Sequence, residues 1–158
     1  MLSDDAYRSK LQLTMASLQA WTGFVADVAR VEATQDGTSC RLALTPHCAH
    51  ACPVALVLRA DQHYDITIAG ETYANRPLAS LDLFLPLIEA ITEGSVVTRH
   101  VSSSVTGLAR GVSTVVTLPD GRVFADGGLD PVAAPDPAGQ LETRDTHYLP
   151  YRRQNGGN

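Results

Sequence analysis

Apolar residues recur at two different spacings along this chain, and the order of those spacings constrains the fold more than any other sequence feature. Two segments have helical spacing, with an apolar residue at every third or fourth position. These residues are Tyr7, Leu11, Met15 and Leu18 in the first segment and Phe84, Leu87, Ile88 and Ile91 in the second. Elsewhere, short segments have the period of two that is typical of half-buried strands. The sequence therefore predicts two amphipathic helices and several short strands.

Both predicted helices have recognisable ends. Ser3 supplies an N-cap hydroxyl, and the two aspartates that follow it lie at the positive end of the helix dipole. Gly23 is expected to end this first helix. The second helix is expected over residues 81–93, and Gly94 is expected to close it.

The predicted strands are bounded by turn residues. They span residues 24–34, 39–44, 54–59, 64–69, 97–106, 112–118 and 122–125. The first two flank Asp36-Gly37, a dipeptide that supplies the positive φ angles of a tight hairpin turn. Consecutive strands joined by short turns pair antiparallel, so we expect one antiparallel sheet.

We therefore predict an α+β fold. It consists of an antiparallel sheet of about six strands with two helices packed on one face, in the order α-β-β-β-β-α-β-β(-β). Residues 1–125 are predicted to form a single domain. Residues 126–158 are rich in Gly and Pro and are predicted to form a largely extended or disordered C-terminal tail. Within it, Tyr148, Leu149 and Tyr151 are expected to dock as a short peptide.

Charge and hydropathy narrow the classes of partner. The formal net charge is −5, and the 12 Lys and Arg residues are scattered apart from Arg152-Arg153. Nucleic acids and anionic membranes are bound through clustered cations, so neither is a predicted partner. No apolar run reaches the roughly eighteen residues of a membrane span, and the N-terminal segment lacks the apolar core of a secretory signal. We expect a cytoplasmic protein, and the odd cysteine count of 3 fits a reducing compartment.

The segment PHCAHACP concentrates thiols and imidazoles. It contains His47, Cys48, His50 and Cys52, and the third cysteine, Cys40, precedes it. Thiolate and imidazole bind zinc, and Cys48, His50 and Cys52 would point to one side of an extended loop. Cys48, His50 and Cys52, with His47 or Cys40, are therefore candidate metal ligands. Structural zinc sites usually draw on two separated ligand pairs, so the alternatives are a surface loop with partly buried thiols and a redox-sensitive bridge between Cys48 and Cys52.

A second cluster of titratable residues lies in the run RADQHYD, residues 59–65. Asp61, His63 and Asp65 lie at alternating positions after Arg59. A histidine beside a carboxylate can act as a general base, so His63 and Asp65 are candidate catalytic residues, together with His100 further along the chain. Asp and His are also common in turns for conformational reasons, which is the alternative interpretation.

Residues 97–106 alternate between valines and polar residues. The valines are Val97, Val101 and Val105, and the polar residues are Thr98, His100, Ser102, Ser104 and Thr106. We expect the polar side chains to face solvent, where their hydroxyls could bind a partner strand or a ligand. Arg99 shares the register of the valines, so it is expected near a strand end or beside a carboxylate.

These features favour a small cytoplasmic accessory or binding protein. It would act through its sheet face or a helix-sheet pocket, as a homo-oligomer such as a homodimer, with a protein or a small molecule as partner. No cofactor is predicted. Two alternatives stay open: a metal-binding protein that holds zinc in loop 47–52, and a small pocket enzyme with a His/Asp acid-base pair.

Overall fold

A computed structural model describes residues 2–36, 39–129 and 141–152 of the chain. The helices are α1, Asp4–Thr22, and α2, Phe84–Thr92, which follows a 3₁₀ turn at Leu81–Leu83. The strands are β1 Ala29–Gln35, β2 Ser39–Pro46, β3 Val54–Arg59, β4 His63–Ile68, β5 Glu71–Pro77, β6 Val96–Ser103, β7 Ala109–Thr117, β8 Val123–Leu129 and β9 Leu141–His147.

The strands form two antiparallel sheets instead of one. The first sheet has five strands in the order β1-β2-β3-β4-β5, and the second has four in the order β8-β7-β6-β9. The α+β class with antiparallel pairing is thus confirmed, whereas the single sheet of about six strands and the predicted element order are wrong. The additional strands are β5 and β9. The pairing of β5 with β4 is irregular, and Asn75 has φ +58°, so β5 lacks a regular alternation.

Helix α1 follows its sequence pattern closely. The Ser3 hydroxyl accepts a hydrogen bond from the Ala6 amide at 3.3 Å, and Gly23 caps the C-terminus. The apolar stripe is buried, and it consists of Tyr7, Leu11, Met15 and Leu18. The second helical segment differs at its start, because Ser80 caps the 3₁₀ turn that precedes α2.

The first sheet has one buried face. Its core side chains alternate along three strands, and they are Cys40, Leu42, Leu44, Val54, Leu56, Leu58, Tyr64, Ile66 and Ile68. Side chains from α1, α2 and the second sheet join the same hydrophobic cluster. The Tyr7 hydroxyl of α1 donates to the carbonyl of Arg59 at the end of β3, 2.6 Å away, which fixes the helix along the sheet.

The two sheets meet where β5 faces β7 and β8. The hydroxyls of Tyr73 and Thr114 are 2.7 Å apart in the buried interior. Beside them, Arg76 donates twice to Asp126, from Nε to Oδ2 at 2.8 Å and from Nη2 to Oδ1 at 3.0 Å. We call these four residues the inter-sheet junction. The junction connects the inner face of the first sheet to the inner face of the second, so the two sheets enclose one core.

The second sheet corrects the expected orientation of residues 97–106. Thr98 is only 1% exposed, and its hydroxyl is 3.0 Å from the hydroxyl of Tyr148. The alternate side chains point outward, including Arg99, which pairs with Asp145. The prediction of a solvated polar face is therefore wrong for the first half of β6, because a distant tyrosine supplies the partner that a buried hydroxyl needs.

The segment 126–158 was expected to be an extended or disordered tail with docked tyrosines. Its described parts are the end of β8, strand β9 and the segment after it, in which Tyr148 and Tyr151 pack against the core. Leu149 makes an isolated parallel bridge with Ala51. Residues 130–140 and 153–158 lie outside the described part of the chain.

The inter-sheet junction predicts a measurable coupling between two buried hydroxyls. Tyr73→Phe leaves the Thr114 hydroxyl without its partner, so the free energy of unfolding should fall by about 1–3 kcal/mol. Adding Thr114→Val removes the unpaired group, and the double variant should recover part of the loss. Urea denaturation of the native protein, of Tyr73→Phe and Thr114→Val singly, and of the double variant measures this coupling. Thr67→Val, which changes an exposed hydroxyl pair with Thr72, is the matched control and should change stability by less than about 0.5 kcal/mol.

Candidate functional site

The Cys/His loop does not have the extended form that would align its ligands. Residues 47–52 connect β2 to β3 through a turn, in which the Ala51 amide donates to the Cys48 carbonyl at 3.3 Å. His47 and His50 are exposed, whereas Cys48 is only partly exposed. The Cys52 side chain lies in the core with 0% exposure. The candidate ligands therefore do not share one side of the loop.

The buried thiols differ from typical metal ligands in their protonation. Burial raises the pKa of Cys52 to about 12, and its thiol donates to the Pro53 carbonyl at 3.5 Å. Burial also raises the pKa of Cys40, followed by the negative charge of Asp36. Metal binding requires the thiolate form. All three cysteines are free, so the bridge between Cys48 and Cys52 is not formed in this structure.

Across the described ranges 2–36, 39–129 and 141–152, no three His, Cys, Asp or Glu side chains are grouped so that they could hold a metal ion. A zinc site at His47, Cys48, His50 and Cys52 stays a prediction, and it would require loop 47–52 to turn Cys52 out of the core.

The second predicted cluster forms around the guanidinium of Arg59. This group pairs with Asp61 and lies 3.5 Å from Asp65, and it donates to Asn75 Oδ1 at 3.2 Å. Asp65 also accepts from the Asn75 amide at 2.6 Å. Partial desolvation opposes ionisation of Asp61, but the hydrogen bond and charge of Arg59 outweigh it and lower the Asp61 pKa. Both carboxylates therefore take part in an ion-pair network around Arg59 at the β3–β4 turn.

The candidate catalytic histidines lie on different sheets. His63 Nδ1 is 3.0 Å from the Asp61 carbonyl, so its contact is with backbone more closely than with a carboxylate. His100 lies in β6, opposite Val112 and Arg144. The structure brings His63 beside Asp61 and places Asp65 on the same strand, and it does not bring His100 to them. An acid-base role for His63, Asp65 or His100 stays a prediction.

Two open grooves flank α1. One, of about 560 Å³, lies between α1 and the connector at residues 78–82, and the other, of about 490 Å³, lies between α1 and the turns after β1 and β3. Neither groove is lined by His63, Asp65 or His100. The second has Tyr7 and Cys40 in its lining, and burial, followed by the charge of Asp61, raises the Tyr7 pKa. A neutral phenol and a neutral thiol give this groove little nucleophilic character.

The outer side of the second sheet carries an apolar surface that the sequence reasoning assigned to the interior. We call it the valine face, and it consists of Val97, Val101, Val115, Val123 and Ala125. Val115 is 40% exposed and Val123 is 60% exposed. One sequence signal points to this orientation. Arg99 shares the register of Val97 and Val101, and burying a cation without a paired carboxylate is costly, so an exposed Arg99 places these valines on the outer side as well.

The burial of the thiols predicts an order of alkylation. At pH 8 a thiol with a pKa of about 12 has a thiolate fraction on the order of 10⁻⁴, so native Cys52 should react with iodoacetamide far more slowly than partly exposed Cys48. Buried Cys40 should also be protected. Peptide mass mapping with time measures the three rates, and the same reaction in urea is the control in which the rates should converge. Fast native labelling of Cys52 would contradict this order.

Comparison with known proteins gives this chain no relative. No protein-family model, curated protein or solved structure matches it. Within the described residues, neither helix combines the length and the apolar character needed to cross a bilayer. A functional assignment therefore rests on the chain's own surfaces.

Proposed function

We propose that this protein is a small accessory or binding protein that self-associates through its valine face. The observation that carries the proposal is a group of apolar side chains, exposed at Val115, Val123 and Ala125 and partly exposed at Val97 and Val101, on a sheet whose opposite face is already buried in the core. Val115 lies at the centre of this group, directly opposite Val97 on one side and Ala125 on the other. Contiguous exposed apolar surface of this kind is typical of interaction sites.

The shape of the valine face suits a second copy of the same face. Its side chains are short, and the neighbouring outward positions on β7 are Ser113 and Thr117. Two such sheets can stack about 10 Å apart with their strands nearly aligned, as in β-sandwiches. A two-fold arrangement places each copy's patch on the other, which is the commonest form of self-association.

The charge of the valine face also favours a second copy. The chain as a whole has a formal net charge of −5, so most approaches between two copies are repulsive. On this face the charges cancel, because Arg99 donates to both carboxylate oxygens of Asp145 at 2.8 and 3.0 Å. Two copies can therefore meet here without juxtaposing uncompensated carboxylates.

The available area sets the expected strength. The whole outer side of the second sheet has four strands about 4.8 Å apart and a rise of about 3.3 Å per residue over seven residues. Its area is therefore roughly 450 Å² per copy. Two copies together would cover roughly 900 Å², close to the lower bound of about 1,000 Å² for a specific interface. We therefore expect a reversible dimer whose population depends on protein concentration. A cytoplasmic location is proposed with it, since the three cysteines are free thiols.

Val115→Glu tests this proposal. A carboxylate at the centre of the face would be buried without a partner on association, so the dimer should weaken roughly tenfold or more while the monomer stays folded. Sedimentation velocity over a concentration series measures the association, and circular dichroism checks the fold. Leu13→Glu is the matched control, because Leu13 is an apolar residue on α1 with 70% exposure.

Two outcomes would contradict the proposal. One is a native protein that stays monomeric over the whole concentration series. The other is a Val115→Glu variant that associates as the native protein does. Loss of association in Leu13→Glu alone would move the interface to α1.

A further inference from the structure

The C-terminal segment lies along the edge of the second sheet and continues past the end of that sheet. Strand β9 pairs along the edge of β6, from Ser103 opposite Leu141 to Val97 opposite His147. The chain then continues to Tyr151 through a cleft between the end of α2 and the Cys/His loop. We call residues 141–151 the docked segment.

The cleft contacts the docked segment mainly through the backbone. The amide of Leu149 donates to the His50 carbonyl at 2.9 Å, and the amide of Tyr151 donates to the Thr92 carbonyl at 2.8 Å. Gly94 lines the cleft, and a Cβ atom there would lie 2.8 Å from the Tyr148 carbonyl oxygen. The cleft is therefore shaped for the close approach of an extended peptide.

Two tyrosine hydroxyls anchor the docked segment. The Tyr148 hydroxyl meets buried Thr98, and the Tyr151 hydroxyl donates to the carbonyl of Cys52. Burial raises the pKa of Tyr151, so this phenol stays a donor. In contrast, the side chains of β9 are almost all exposed. The segment is thus held as a bound peptide is held, by backbone pairing and a few anchor side chains.

The connection to the rest of the chain does not restrict the docked segment to its own copy. The described strands β8 and β9 lie on opposite edges of the second sheet, three strand spacings or about 14 Å apart. Residues 130–140 join them, and a chain of that length can span up to about 40 Å. The maximum span of residues 130–140 is therefore more than twice the distance between β8 and β9 within one copy.

We propose that the β6 edge and its adjoining cleft form a peptide-binding site that accepts the docked segment of a second copy, so that two copies exchange residues 141–151. Exchange preserves every contact of the segment. The exchanged fraction increases as the protein concentration approaches the effective concentration of the segment tethered to its own copy. The backbone pairing and the tyrosine anchors of this site lie at the edge of β6 and in the cleft, so exchange does not require the valine faces to pack. The two surfaces share only the Arg99–Asp145 ion pair.

Cysteine pairs placed across β6 and β9 can distinguish exchange from pairing within one copy. Arg99 lies opposite Asp145 and His100 lies opposite Arg144. Hydrogen-bonded and non-hydrogen-bonded pairs alternate along an antiparallel ladder, so one of these two pairs has the closer Cα separation that a disulfide requires. Each pair is first introduced into one full chain, in a Cys48→Ser background, and oxidised with glutathione disulfide. The pair that crosslinks within a chain is then divided between two chains.

The divided pair gives the decisive measurement. Chains that carry only Arg99→Cys, mixed with chains that carry only Asp145→Cys, should form a covalent heterodimer whose yield increases with concentration; the second pair is used in the same way if it is the one that crosslinks. Adding Val115→Glu should leave this heterodimer in place, which separates the exchange from the valine face. Leu13→Cys mixed with Asp145→Cys controls for random collision. Efficient crosslinking within single chains, with no heterodimer above that control at any concentration, would overturn the proposal.

Discussion

The inter-sheet junction holds the two sheets around a common core, and the rest of the structure depends on it. Each sheet has one buried face, and the side chains of both buried faces belong to one hydrophobic cluster with those of the two helices. The hydroxyls of Tyr73 and Thr114 meet in the interior, and the Arg76–Asp126 pair closes the rim beside them. Asp126 is mostly buried, with 16% of its side chain exposed, so its two hydrogen bonds offset the cost of desolvating a carboxylate.

Because the junction uses the inner face of the second sheet, the valines must lie outside. Val96 and Val116 point inward with Thr98 and Thr114, and the next residues along each strand point to solvent. A strand offers only two faces, so placing the hydroxyls at the junction fixes the outward register of the alternate residues as far as the bulge between Val101 and Ser102. The exposed apolar surface is thus a consequence of how the sheets are joined.

Local patterns predicted the elements of this fold better than their arrangement. Helix α1 depends on a cap and an apolar stripe that are contiguous in sequence, and it formed as expected. The burial of Thr98 depends on Tyr148, fifty positions away, and no local pattern contains that contact. Strand β9 was not predicted, because its side chains are almost all exposed and give no apolar alternation. It is a strand only through its backbone pairing with β6, which is distant in sequence. The candidate metal ligands and the candidate bases are adjacent in sequence. In the structure, however, most of their contacts belong to the turn at residues 47–52 and to the ion pairs of Arg59.

Strand β6 links the two proposed interactions through one ion pair. Its outer face contributes Arg99 to the valine face, and its edge binds β9, which contributes Asp145. The charges on the valine face are therefore balanced only while a β9 strand is docked, whichever copy supplies it. Release of the strand would leave a cation on the face that meets its own copy across a two-fold axis, where like charges repel. Docking of the C-terminal segment and association through the valines should consequently favour one another, with the coupling strongest at low ionic strength, where the charge of Arg99 is least screened.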